Sequence, residues 1–166
     1  MIRRYLSIGL LLMVFLPSYP AMADKDESHE NRGWLADDWS KARPQVQSQF
    51  RGSDVAMMEV GYRFSEFFFA GKDHNWDYAD YQLEAMEKAI RLMIERRPKR
   101  AKSAKVFLEE DLPDVVRLTK ERSPESFDRA AERLRVSCMK CHVAENYSFV
   151  TVQFPTDRQS PVRNAD

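Results

Sequence analysis

The segment SPESFDRAAERLRVSCMKCH, residues 123–142, decides the fold. Ser123 followed by Pro124 predicts a helix start, because serine caps the first free N–H groups and proline suits the first turn. Downstream, residues spaced three or four apart share one face of the helix: Phe127, Ala131, Leu134, Cys138 and Cys141. This segment therefore predicts an amphipathic helix whose inward face ends at the two cysteines.

Three further helical patterns precede this helix, and together the four predict an all-α fold. The first covers about 44–70, starting at Pro44 and stopping at Gly71. The second covers about 75–97, and the third covers about 99–122 with a kink or split at Pro113. Short connections favour an up-down-up-down four-helix bundle, in which helix four ends beside the turn between helices two and three.

The N-terminal segment has the pattern of a secretory signal peptide. Arg3 and Arg4 precede an apolar run over 6–16, and Ala21-Met22-Ala23 offers small residues at alternate positions. We expect cleavage after Ala23 and a periplasmic location, with an uncleaved membrane anchor as the alternative. No second apolar stretch approaches membrane-spanning length, so no membrane span is expected in the mature chain.

The rest of the chain divides into three parts by composition. Residues 24–43 predict a flexible lead-in, residues 44–155 the bundle domain, and residues 156–166 a polar, frayed tail. The chain has 26 basic and 26 acidic side chains, so no nucleic-acid partner is expected.

The pentapeptide Cys138-Met139-Lys140-Cys141-His142 holds the only two cysteines of the 166 residues. Its spacing suits covalent attachment of one c-type haem, with both sulfurs bonded to the vinyl groups and His142 as an axial iron ligand. A thioredoxin-type pair, a structural zinc site and a simple disulfide are alternatives. They are disfavoured because the motif closes a helix, zinc requires four ligands, and a disulfide leaves the histidine unused.

Two blocks resemble the cytochrome c′-like, or class II, c-type cytochromes, which are exported four-helix bundles with the haem at the end of helix four. One block runs from Phe69 to Tyr81 and the other from Cys138 to Pro155, and the resemblance covers about residues 54–155. The longer tail, 146–166, departs from the best-known members and is expected to cover one haem edge with Phe149, Val152 and Phe154. The resemblance also implies a homodimer as one option.

The residue on the other side of the iron decides between two functions. Where relatives have a methionine ligand, it comes from the first helix, which implies Met57 as the metal ligand, with Met58 as the fallback. Measured from the same end of the bundle, Met57 lies about 20 Å along the first helix and His142 lies about 27 Å along helix four. A haem placed obliquely between the two helices bridges the difference of about 7 Å. His74 and His29 are disfavoured, the first by topology and the second by its place in the lead-in.

With a methionine ligand, the expected function is one-electron transfer, without enzymatic activity. With an open position, the alternative is a gas-binding haem protein for nitric oxide or carbon monoxide. A peroxidase is disfavoured because no distal histidine and arginine pair is evident. The basic run within Arg96–Lys105 is expected to contact the haem propionates or to dock an acidic redox partner.

Overall fold

The computed structural model of the chain describes residues 35–162, and the expected signal peptide lies outside them. All regular structure in this range is helical, which confirms the all-α class for the described residues. A 3-10 turn, Pro98–Arg100, precedes α4, and a π-helical turn, Phe107–Asp111, joins α4 to α5. The α-helices are α1 (Trp39–Gln49), α2 (Ser53–Lys72), α3 (Trp76–Arg96), α4 (Ala101–Val106), α5 (Leu112–Thr119) and α6 (Pro124–Ala144).

The start of α6 follows the sequence prediction. The Ser123 side chain accepts a hydrogen bond from the Ser126 N–H at 3.2 Å, and Pro124 occupies the first turn. Helix α3 also agrees with the prediction to within one residue at each end, and Asn75 caps it by accepting from the Tyr78 N–H. Both helix starts are determined by local sequence, because in each case the capping side chain bonds to the first turn of the helix that it precedes.

The predicted first helix is wrong at its start, because the chain forms two helices there. Helix α1 begins at Trp39, inside the expected flexible lead-in, and Pro44 lies within it. Asp38 stabilises this earlier start by accepting from the Ser40 N–H at 2.9 Å. The helical path then breaks before Ser53, with Gly52 in extended backbone conformation as the N-cap of α2.

The expected stop at Gly71 is also wrong by a few residues. Helix α2 continues to Lys72, and the residue with left-handed backbone is His74, at φ 59°. The Asn75 N–H then bonds back to the Ala70 carbonyl at 2.8 Å, which closes the helix end. Gly71 has a different role, because a Cβ there would collide with the ring of Phe127.

The expected disturbance at Pro113 takes the form of the π-helical turn. The Leu112 N–H bonds to the carbonyl of Phe107, five residues back, and Pro113 follows with no N–H to donate. One wider turn thus precedes the proline, and the helical path continues into α5.

Packing between the helices closes a ring around one core. Helix α2 packs on α3, α3 on α5, α5 on α6, and α6 meets α2. The rings of Phe67 and Phe127 lie 4.9 Å apart near the α2–α3 turn, and Trp76 packs on Phe127 at 6.0 Å. At the other end, Arg100 forms an ion pair with Glu145, which places the end of α6 beside the turn after α3. None of the described helices is both long enough and apolar enough to cross a membrane.

Residues 146–160, here called the strap, are fastened to the helices. The expected fraying is therefore wrong for 156–160, the part of the predicted tail 156–166 that belongs to the strap. Asn146 adopts a left-handed backbone at φ 63°, and the Tyr147 N–H bonds to the His142 carbonyl, which turns the chain back after α6. At the far end of the strap, Arg158 forms an ion pair with Asp73. The strap thus runs from the end of α6 to the α2–α3 turn.

Aromatic and polar contacts hold the middle of the strap. The ring of Phe154 stacks on Phe68 at 5.0 Å and on Phe64 at 6.2 Å, both in α2. On the α6 side, the Val152 N–H points at the Met139 sulfur at 3.1 Å. The strap therefore bridges α2 and α6.

Candidate functional site

A cavity of about 580 Å³ lies between α2, α3, α4, α6 and the strap. This volume is within the range of roughly 300–1,000 Å³ that is common for cofactor and small-molecule pockets. Its lining is mostly apolar, with contributions from every one of these elements: Met57, Val60, Gly61, Phe64, Ile90, Met93, Ala104, Phe107, Cys138, Val150, Val152 and Pro155. Such a lining suits a mainly apolar ligand.

Both cysteines and the histidine of the pentapeptide line this cavity. Their placement follows from α6, since residues 138, 141 and 142 are three and four apart and so project from one side of the helix. Cys138 also packs against the hydrophobic core. The sequence motif and the cavity therefore coincide.

The imidazole of His142 is oriented by the strap. Its Nδ1 lies 2.7 Å from the carbonyl oxygen of Val150. A carbonyl oxygen only accepts, so Nδ1 carries the proton and Nε2 of the neutral ring keeps its lone pair. Metal-binding histidines commonly have this arrangement, in which a backbone carbonyl fixes the tautomer and the ring orientation.

The two thiols are both in surroundings that disfavour the thiolate. Burial, with smaller contributions from Cys141 and Asp111, raises the pKa of Cys138 to about 12. Burial also raises the pKa of Cys141, against the opposing effects of the Ser103 hydrogen bond and the Arg100 charge. Protonated thiols are poor nucleophiles, so this pair lacks the low-pKa cysteine that disulfide-exchange enzymes use.

The α2 wall of the cavity carries Met57 and Gly61. A Cβ added to Gly61 would meet nothing within 4 Å, so the space in front of this wall is open. Met58, the fallback ligand, is 74% exposed and is not part of the lining. Met93 of α3 also lines the cavity, but without a preceding functional signal in its helix.

Polar side chains gather where α4 and the end of α6 meet the cavity. Glu145 forms an ion pair with Arg100 and accepts a hydrogen bond from Ser103, and all three line the cavity. The guanidinium of Arg100 also lies 5.6 Å from the ring of Tyr147. Within the basic run, Arg100 is thus the residue at the cavity, while Lys99 and Lys102 are exposed. Glu145 and Ser103 gave no sequence signal, because each is an ordinary polar residue near a helix end.

The other histidines are not brought to this cavity by the described structure. His74 stacks on Trp76 at 5.4 Å at the opposite end, and His29 lies outside the described residues. Across residues 35–162, no group of three or more His, Cys, Asp or Glu side chains is placed to hold a metal ion.

No protein-family model, curated protein or solved structure matches the chain. The chemistry of the site therefore rests on its own residues.

Proposed function

We propose that this protein is an exported, periplasmic c-type cytochrome that carries one covalently bound haem and transfers single electrons. The observation that carries the proposal is the placement of Cys138, Cys141 and His142 on one mostly apolar cavity of about 580 Å³. In this proposal the two sulfurs hold the haem and Nε2 of His142 binds its iron. Bound haem supplies one-electron chemistry between ferrous and ferric iron.

The orientation of His142 supports its proposed role. The Val150 carbonyl accepts a hydrogen bond from Nδ1–H, so Nε2 is the nitrogen left to bind a metal. Such a hydrogen bond also makes the imidazole a stronger electron donor. The strap thereby supplies a backbone group that would hold His142 in place as the proposed iron ligand.

The helix arrangement supports an up-down-up-down four-helix bundle as the finer architecture. Its four members would be α2, α3, the α4–α5 path and α6, since contacts between them close a ring. In such a bundle the end of α6 and the turn after α3 share one end, in keeping with the Arg100–Glu145 ion pair.

Met57 is the proposed sixth ligand for the electron carrier, because its side chain is on the α2 wall of the same cavity. The alternative is a five-coordinate haem protein that binds nitric oxide or carbon monoxide. The open space in front of Gly61 favours that alternative, since it leaves room for a small molecule. Both functions use the same attachment residues and differ only in this position.

Optical spectra of the haem-loaded protein, oxidised and reduced, with and without carbon monoxide, test the proposal. For the carrier we expect a low-spin spectrum that carbon monoxide does not change, and Met57→Ala should convert it to high spin. Met58→Ala is the matched control, because this neighbouring methionine is exposed, and it should leave the spectrum unchanged. A high-spin spectrum that shifts with carbon monoxide would favour gas binding, and absence of haem absorption would refute both.

The basic run supplies the proposed contact with a redox partner. Arg100, which lines the cavity and pairs with Glu145, would contact a haem propionate in this proposal. Lys99 and Lys102 are exposed and would meet an acidic protein surface. Neutralising Lys99, Lys102 and Lys105 together should slow electron exchange at low ionic strength and have little effect at high ionic strength. An unchanged rate at low salt would exclude docking at this run.

A further inference from the structure

A buried carboxylate lies behind the cysteine segment of α6. Asp111 is only 2% exposed and is the last residue of the π-helical turn. Wider turns of this kind are frequent at functional sites. Asp111 does not line the cavity, so the proposed attachment residues do not account for its burial.

Three residues of α6 converge on this carboxylate. Ser137 donates a hydrogen bond to Oδ2. The Arg133 guanidinium lies 2.7 Å from Oδ1, and the Lys140 ammonium lies 3.9 Å from the same oxygen. Because these residues are four and three apart, they form one face of α6. Ser137 directly precedes Cys138, and Lys140 directly precedes Cys141. Asp111 therefore holds the stretch of helix that carries both cysteines.

The charges in this group are not equally screened. The carboxylate is buried, whereas the side chains of Arg133 and Lys140 are half-exposed. Water screens the two cations more strongly than it screens the anion. The negative charge of Asp111 therefore dominates the electrostatic field of this group inside the protein. A haem bonded to Cys138 and Cys141 would lie within that field.

We propose that the buried charge of Asp111 lowers the reduction potential of a haem attached at Cys138 and Cys141. A nearby negative charge stabilises ferric iron, which carries one more positive charge than ferrous iron. Reduction adds one electron and removes that extra charge, so the carboxylate opposes it. This inference rests on the proposed haem function and adds a residue that sets the driving force for electron transfer.

Spectroelectrochemical titration of the full-length, haem-loaded protein tests the inference. Asp111→Asn keeps the shape and a hydrogen-bond partner for Ser137 but removes the charge, so the midpoint potential should rise. We expect reduction to become roughly tenfold more favourable, which corresponds to about 59 mV for one electron. Glu110→Gln is the matched control, because Glu110 is the neighbouring acid but is exposed, and its shift should be less than half as large.

A second variant separates charge from a structural effect. Arg133→Gln leaves the carboxylate without its nearer cation, so the potential should fall, opposite to the change for Asp111→Asn. Loss of packing alone does not predict opposite signs. Circular dichroism checks that both variants remain helical. If Asp111→Asn does not fold, the double variant Asp111→Asn/Arg133→Gln, which removes both partners of the ion pair, decides the inference, and its potential should lie above that of Arg133→Gln.

Two results would overturn the inference. One is a potential that does not rise in Asp111→Asn or does not fall in Arg133→Gln, and the other is an equal shift in Glu110→Gln. A wild-type protein that takes up no haem would overturn the proposed function as well. A haem-loaded protein whose potential ignores Asp111 would overturn only this inference.

Discussion

Gly71 and Gly61 lie on the same helix, α2, but have opposite surroundings. A Cβ at Gly71 would overlap the Phe127 ring, whereas a Cβ at Gly61 would enter the open space of the cavity. Gly71→Ala should therefore destabilise the protein by about 1–3 kcal/mol through overpacking. Gly61→Ala should stabilise the haem-free protein by roughly 0.5–1 kcal/mol, because alanine is the better helix former.

Urea unfolding of the two haem-free variants measures this difference. The comparison is matched, since both changes add one methyl group to the same helix. Equal effects would show that the Phe127 contact does not constrain Gly71.

The raised pKa of Cys138 predicts slow alkylation of the folded protein. The pKa of Cys138 is about 12 in the folded chain, whereas the ordinary value for a cysteine is 9.0. At pH 8 the thiolate fraction of Cys138 is therefore about a thousandfold lower in the folded chain than in the unfolded chain. Folding favours the protonated thiol. Its contribution to stability is therefore full below pH 9.0 and is lost as the pH rises toward about 12.

Iodoacetamide labelling of haem-free Cys141→Ser, which keeps only Cys138, measures this prediction. The rate for the folded protein should still be rising steeply at pH 10, while the rate in urea should be half-maximal near pH 9.0 and close to its plateau at about pH 10. Superimposable pH profiles would mean that burial does not control this thiol.

Residue identity predicted part of the site and could not predict the rest. Cys138, Cys141 and His142 were found because their spacing carries specific chemistry. The carbonyl of Val150 could not be found, since every residue has a carbonyl and only the path of the strap brings this one to the imidazole. Asp111 was missed because its burial depends on a π-helical turn that the sequence does not reveal.

At the scale of single elements, the cap at Ser123 fixes the start of α6 and therefore the position of the cysteine segment at the end of this helix. Ser123→Ala removes the acceptor for the Ser126 N–H and should cost about 0.5–2 kcal/mol. Ser148→Ala in the strap is a suitable control, because Ser148 is exposed, and should change stability by less than about 0.5 kcal/mol. Chemical denaturation gives both values, and a Ser123→Ala protein as stable as the control would rule out the cap.

Helix ends were predictable where the signal is local and unpredictable where it is tertiary. Ser123 and Asn75 bond to their own first turns, so propensity alone located α6 and α3. Gly71 was expected to stop α2, but its small size serves the Phe127 contact and the left-handed position went to His74. A glycine required by packing has no sequence signal that distinguishes it from a glycine required by a turn.

At the scale of the whole molecule, the strap links the two ends of the fold. It starts at the cavity, where Val150 orients His142, and it ends at the α2–α3 turn, where Arg158 pairs with Asp73. The sequence predicts a cover formed by Phe149, Val152 and Phe154, but it does not predict where the strap ends, because Arg158 and its partner Asp73 are 85 positions apart in the chain. Fastening at both ends should make the strap part of the cavity wall.

Phe154 is the residue that tests whether the strap closes the cavity. Its ring stacks on Phe68 and Phe64 and is 37% exposed, whereas the ring of Phe149 in the same strap is 77% exposed. Phe154→Ala should release the middle of the strap, because the lost aromatic contacts hold it against α2. Faster amide exchange at residues 150–154 and faster protease cleavage in the same segment are the expected results, whereas Phe149→Ala should change neither. If Phe154→Ala and Phe149→Ala show the same amide exchange and the same protease cleavage, backbone hydrogen bonds rather than the Phe154 ring hold the strap. The orientation of His142 would then be unchanged in Phe154→Ala.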